Sequence, residues 1–201
     1  MNKNLLVYLH GISFDKSEIS EFTDQLADKL DADKLAFDAP YESGRARGGY
    51  MWAYSNPDRT PILDERFYNT LDFIKSNVEK ALNERGQNWD NVILSGKSQG
   101  AFIAMHMALS RIIQPRGVIA LCAYDLDRFI ANKIINKDIP VVWAEAENEN
   151  LMPRSAMDGY IAIHNAGVKL ERVILPDSDH YNLSLAGVPI VASAARKLGI
   201  I

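Results

Sequence analysis

The chain has 201 residues, of which 47% are hydrophobic and 24% charged, with 22 Lys+Arg against 26 Asp+Glu for a formal net charge of -4. Such a composition excludes a disordered, collagen-like or disulfide-scaffold protein, and it supplies no broad basic field for phosphate backbones, so nucleic acid is not an expected partner. The single cysteine, Cys122, has no partner for an internal disulfide, and no stretch approaches the roughly 18 apolar residues of a membrane span.

The opening M-N-K-N-L-L-V-Y-L-H-G holds an apolar run too short for the core of a signal peptide and leads into His-Gly rather than a cleavage site, so a cytoplasmic protein is expected. Six short apolar runs read as strands: Leu5 to Leu9, Lys34 to Phe37, Asn91 to Leu94, Gly117 to Cys122, Pro140 to Ala144 and Glu171 to Leu175. Longer stretches of helical period lie between them. Ser17 to Leu30 places Ile19, Phe22, Leu26 and Leu30 on one face, and Asp64 to Arg85 does so with Phe67, Leu71, Ile74, Val78 and Leu82 before Gly86. Further helices are predicted over Gln99 to Ile113, Ser155 to Ala166 and after Pro189, with a weaker pattern over Leu126 to Ile135. Strands alternating with helices predict one α/β domain over 1–201: an open, mostly parallel sheet of about six strands with helices on both faces.

One stretch, Asp38 to Ile62, follows a strand's C-terminal end and has no period. Long irregular loops at that edge of an α/β sheet are where ligands are met. Its Tyr50, Met51 and Trp52, with Tyr41 and Tyr54 nearby, are expected to wall a substrate pocket, and the loop to cover the site. Arg45 and Arg47 have the chemistry to meet a carboxylate or phosphate, although a solvated rim is the simpler expectation for both.

Gly96-Lys97-Ser98-Gln99-Gly100 is a G-x-S-x-G pentapeptide between the strand N-V-I-L and the helical run A-F-I-A-M-H-M-A-L. A serine on so tight a turn is held in strained backbone geometry, and glycines two positions to either side let strand and helix approach. Its hydroxyl then projects above the sheet edge at a helix N-terminus, where negative charge is favoured. Ser98 is therefore the predicted nucleophile, and Lys97 is expected to face solvent.

A serine needs a base. Of the four histidines, His106 lies eight residues along the helix that begins at the serine, His164 near the end of another helix, and His10 in the turn after the first strand. His180, after the last strand and at the same sheet edge as Ser98, is left as the base. The carboxylate that orients it is open among Glu145, Glu147, Glu149, Asp125, Asp177 and Asp179 on neighbouring loops. Oxyanion donors are expected from the amide of Gln99, at the helix N-terminus, and from that of Ile12, beyond the bend at Gly11.

L-V-Y-L-H-G-I, L-S-G-K-S-Q-G-A, G-V-I-A-L-C-A-Y, the P-V-V-W…M-P segment and the late histidine together resemble the α/β-hydrolase fold, in its small phospholipase/carboxylesterase branch that includes acyl-protein thioesterases. The resemblance covers essentially the whole chain. It implies hydrolysis of esters or thioesters by a Ser-acid-His triad in that order, with oxyanion donors matching Ile12 and Gln99. In that family the acid stands four residues before a proline, in G-x-x-D-x-x-V-P, which here gives Glu149 before Pro153, with Ala146 in the glycine's place. Glutamate is one methylene longer than the family's aspartate. The strand carrying L-H-G opens the sequence, so the resemblance predicts a reduced sheet of about six strands without the N-terminal hairpin of larger members.

The reading that follows is a serine esterase or thioesterase acting on a small acyl substrate, with no cofactor and no metal, and with its oligomeric state open. Two other readings compete with it. One is a binding module that keeps the scaffold without turnover. The other is a metal-dependent hydrolase built on Glu147, Glu149, Asp177, Asp179 and His180.

Overall fold

Backbone pairing joins the six apolar runs into a single sheet. The computed structural model describes residues 3–56, 61–123, 134, 136–151 and 153–201; Asp125 and nearly all of the 126–135 pattern lie outside the described residues. The large sheet runs β2(Ala32–Ala36), β1(Asn4–Leu9), β5(Val92–Lys97), β6(Gly117–Leu121), β7(Val141–Asn148), β8(Leu170–Asp179) from edge to edge. Every neighbouring pair in it is parallel. The helices are α1(Ser20–Lys29), α2(Glu65–Arg85), α3(Gln99–Leu109), α4(Pro153–Asn165) and α5(Gly187–Leu198). None among the described residues is long and apolar enough to cross a membrane.

Alternation along the strands explains the two layers. Leu5, Val7, Leu9, Val92 and Leu94 point to one face and are buried with residues of α2 and α3. Leu6, Tyr8 and Ile93 point to the other and are buried with residues of α1 and α5. The central strands are covered on both sides, which is why they read as continuous apolar runs rather than alternating ones.

Helix ends follow local chemistry. Asp64 caps α2 by accepting the Phe67 N–H at 3.2 Å, and Gly86 ends the helix in left-handed backbone at φ 63°. α1 starts at Ser20, three residues later than its pattern predicts, because the Asp15 carboxylate accepts the Ser17 N–H and holds the preceding segment as a turn. Conversely, α5 begins at Gly187 and takes Pro189 within its first turn, where a missing N–H costs no helical hydrogen bond.

The segment predicted as irregular, 38–62, contains a small antiparallel hairpin, β3(Tyr41–Glu42) and β4(Tyr50–Met51). The sheet order reverses direction between β1 and β5, since the chain leaves β1 for β2 on one side and places β5 on the other. The C-terminal ends of β1 and β5 therefore open a crevice at this switch point, and the Gly11 and Ser98 turns both stand there.

Candidate active site

Ser98 directly follows β5 and stands at φ 55°, ψ -115°, a conformation that costs a non-glycine residue about 1–3 kcal/mol. The flanking glycines make that turn geometrically feasible. A Cβ on Gly96 would stand 2.3 Å from the carbonyl carbon of Gly100, and one on Gly100 would stand 2.0 Å from the carbonyl oxygen of Leu9. The Ser98 N–H is tied at 2.9 Å to the Leu121 carbonyl of the neighbouring strand.

The Ser98 hydroxyl lies 3.0 Å from Nε2 of His180, whose Nδ1 lies 2.8 Å from Oε2 of Glu149. All three side chains are nearly withdrawn from solvent. An ionised Glu149 keeps the proton on Nδ1, which leaves Nε2 to accept from the hydroxyl. Glu149 is itself steadied by accepting the Leu151 N–H on Oε1 at 2.9 Å. It sits just past β7, whose pairing with β8 shifts register between Ala146 and Asn148. The other glutamates of this strand end are engaged elsewhere. Glu145 accepts from the Trp143 indole at 2.7 Å and from Arg172 at 2.6 Å, and Glu147 accepts the Asp177 N–H at 2.9 Å. Asp179 is occupied by Asn182 and the Tyr181 N–H, and these hydrogen bonds hold its carboxyl below the usual range. Of the carboxylates proposed as a metal set, Glu147, Glu149 and Asp179 thus point to separate partners.

Among the described residues one trio does converge: donor atoms of Cys122, Glu149 and His180 lie within 4.8 Å of one another. Burial pushes the Cys122 thiol up to about 12, and Nδ1 of His180 is already bonded to Glu149. The trio is arranged as a hydrogen-bonded relay with a neutral thiol beside it, not as a ready ligand set.

Both residues expected to donate to an oxyanion border Ser98. Gln99 holds the first position of α3, where an N–H has no intrahelical acceptor, and Ile12 lines the cleft at Ser98. The Gly11 N–H is taken by Oε2 of Glu18, and the same oxygen accepts from the Tyr8 hydroxyl at 3.2 Å. Burial and then the Glu18 charge hold the Tyr8 phenol protonated well above 10.0. The other oxygen of Glu18 meets Nζ of Lys97 at 2.6 Å, in an ion pair whose side chains are 2% and 1% exposed. Lys97 is therefore buried and paired, contrary to the solvent-facing expectation. Glu18 and Lys97 are 79 residues apart, so no local pattern announces their meeting.

His10 braces the same loop. The Ala39 N–H donates to its Nε2 at 3.0 Å, so the ring carries its proton on Nδ1, which donates to the Gly11 carbonyl at 2.7 Å. Burial lowers its pKa against the opposing pull of the Gly11 carbonyl, Glu18, Asp38 and Asp15. His106 packs against Phe67 and Phe102, and His164 sits in the last turn of α4 against Tyr160, as their helix positions predict.

A cleft of ≈ 250 Å³ opens at Ser98 and His180, with Phe14, Leu151, Tyr181, Arg45 and Arg47 among its walls. Tyr50, Met51 and Trp52, expected as substrate contacts, do not line it. Trp52 is fully buried, donating from its indole to the His10 carbonyl at 2.7 Å, and its N–H meets the Gln99 side chain at 2.8 Å. These residues brace the wall from behind. Phe14, Leu151 and Tyr181 were missed because each lies in a short loop segment with no period.

The sequence model of a family described as phospholipase/carboxylesterase matches residues 1–184. No curated protein sequence matches the chain. Among solved structures the chain is similar to SOBER1 of Arabidopsis thaliana, at 17% identity and a TM-score of 0.77 over 98% of this chain and 99% of that one. It is also similar to a Bacillus cereus carboxylesterase, at 14% identity and a TM-score of 0.78 over 98% and 89%. A third likeness is to acyl-protein thioesterase 2 of Zea mays, at 15% identity and a TM-score of 0.73 over 99% and 95%. At these identities the likenesses establish a shared fold.

Proposed function

The chain belongs to the phospholipase/carboxylesterase family of α/β-hydrolases, and from that membership we propose that it cleaves carboxylic esters or thioesters through an acyl-enzyme on Ser98. The observation that carries the reading is the relay of 3.0 and 2.8 Å linking Ser98, His180 and Glu149 on a strained turn at a helix N-terminus.

Ser98 Oγ attacks the acyl carbonyl while Nε2 of His180 takes the hydroxyl proton. Glu149 keeps the imidazole oriented and offsets the positive charge that forms on it. The carbonyl oxygen becomes an oxyanion in reach of the Ile12 and Gln99 amides, each such donor contributing on the order of 10²–10³ in rate in comparable sites. Collapse expels the alcohol or thiol, which leaves with the proton returned by His180. A water then gives its proton to His180 and attacks the acyl-enzyme, releasing the acid and restoring Ser98. A thioester follows the same path with a better leaving group, and a thioesterase is among the structures of like fold.

Turnover of p-nitrophenyl esters and S-acyl thioesters of graded chain length tests this. Folded Ser98→Ala, checked by circular dichroism, is expected to lose a factor on the order of 10⁴ or more in kcat. Undiminished hydrolysis by that variant contradicts the proposal, and so does an absence of turnover across the whole panel by folded wild type.

A further inference from the structure

The cleft beside Ser98 carries positive charge that acyl transfer does not use. Arg45 and Arg47 both line it, and among the described residues its walls contain no Asp or Glu. The ammonium of Lys97 also reaches the wall but is neutralised by Glu18 at 2.6 Å. Among the described residues no ion pair engages either arginine. The chain as a whole bears a net charge of -4, so this local cationic wall runs against the overall balance.

The arginines stand on a built element. They occupy the tip between β3 and β4, where the Gly48 N–H donates to the Arg45 carbonyl at 2.8 Å and the Ser43 N–H to the Gly49 carbonyl at 2.9 Å. The hairpin is stitched to the oxyanion loop by the Tyr50 N–H to the Phe14 carbonyl at 2.8 Å and the Ser13 N–H to the Tyr50 carbonyl at 2.9 Å. Approach there is so close that a Cβ on Gly49, at φ +72°, would stand 2.5 Å from the Ser13 carbonyl carbon. The Arg47 guanidinium is held between two aromatic rings, 4.6 Å from the centre of Phe14 and 5.4 Å from that of Tyr181. Both rings are cleft walls. A guanidinium fixed in this way gives up little rotamer freedom on meeting a ligand, and its planar fork matches two oxygens of one anion.

We infer that the cleft selects esters or thioesters carrying a second, anionic group, a carboxylate or a phosphoryl group, which Arg47 receives with Arg45 at the rim while Ser98 attacks the acyl carbonyl. This rests on the proposed nucleophilic role of Ser98. Arg47 is here the specificity residue, and the bond made and broken is unchanged.

Three substrates of matched leaving group decide it: mono-p-nitrophenyl adipate, p-nitrophenyl 5-phosphonopentanoate and neutral p-nitrophenyl hexanoate. At low ionic strength wild type is expected to favour one of the anionic esters over hexanoate by about tenfold or more in kcat/KM, the size of a charge-assisted paired hydrogen bond. Whichever anionic ester leads tells carboxylate from phosphoryl. The anionic-to-neutral ratio collapses in Arg47→Gln, recovers only in part in Arg47→Lys, and stays unchanged in Arg196→Gln, which removes an equal charge from the exposed face of α5. Added salt lowers the ratio, because it screens the attraction to the anion alone. A wild-type ratio near one, or a ratio indifferent to Arg47→Gln, overturns the inference while hexanoate turnover leaves the role of Ser98 standing. If no ester is turned over and Ser98 is not acylated, the parent reading fails with it.

Discussion

Three glutamates alternate along the end of β7 and the residue just past it, and their partners separate them: Glu145 serves Trp143 and Arg172, Glu147 the Asp177 amide, and Glu149 the His180 ring. Of the three, only Glu149 contacts the imidazole proposed to carry the proton. Glu149→Ala is expected to lower kcat by a factor on the order of 10³–10⁴, as loss of the orienting carboxylate does in serine hydrolases. Glu147→Ala leaves kcat nearly unchanged. Steady-state kinetics on one activated ester ranks the two, and the opposite order contradicts the assignment. Legibility differed sharply among these residues. Ser98 is announced by its pentapeptide and its place between strand and helix. His180 follows by elimination. Periodicity is silent on the acid, because a strand running out into a loop keeps no phase, and Glu149 was singled out only by the family resemblance, whose motif sets the acid four residues before a proline. Lys97 was misjudged because its sequence neighbours say nothing about Glu18, which comes from the segment before α1.

Among the elements, the turn at Ser98 and the loop at Gly11 are joined by the buried Glu18–Lys97 pair and by the Gly11 amide that Glu18 holds. Removing one partner of a buried pair leaves an uncompensated charge, which typically costs about 3–5 kcal/mol. Lys97→Met is expected to destabilise by that amount in urea titration, and the double variant Lys97→Met, Glu18→Gln to recover part of the loss, since no charge is then stranded. A loss under about 1 kcal/mol in the single variant contradicts this account of the loop. The hairpin β3–β4 was not legible because two-residue strands have no period to read. Their pairing is a backbone affair, completed by Phe14 and Gly49 from outside any predicted element. The strands and long helices of the main sheet were legible because buried apolar faces impose their spacing directly on sequence.

For the molecule as a whole, the all-parallel sheet places the Gly11 and Ser98 turns at one switch point, and His10 ties that crevice to folding. Burial lowers the His10 pKa below 6.5, so the unfolded chain takes up a proton there before the folded one does. Stability therefore falls as pH drops from about 6.5 toward the lower folded value, and it is fully present above that window. Urea unfolding at stepped pH should show the decline in wild type and a weaker one in His10→Gln; equal slopes contradict it. The lowered carboxyls of Asp15 and Asp179 act separately, in the acid range below 3.8.

The proposed reaction depends on a covalent acyl-enzyme at Ser98. Peptide mapping by mass spectrometry after exposure to a fluorophosphonate, which phosphonylates an activated serine, reads it directly. One adduct on the peptide holding Gly96 to Gly100, located at Ser98 and abolished in Ser98→Ala and strongly slowed in His180→Ala, is the predicted result. Folded, hydrolytically active protein that carries no adduct, or carries it at a residue other than Ser98, would contradict the account.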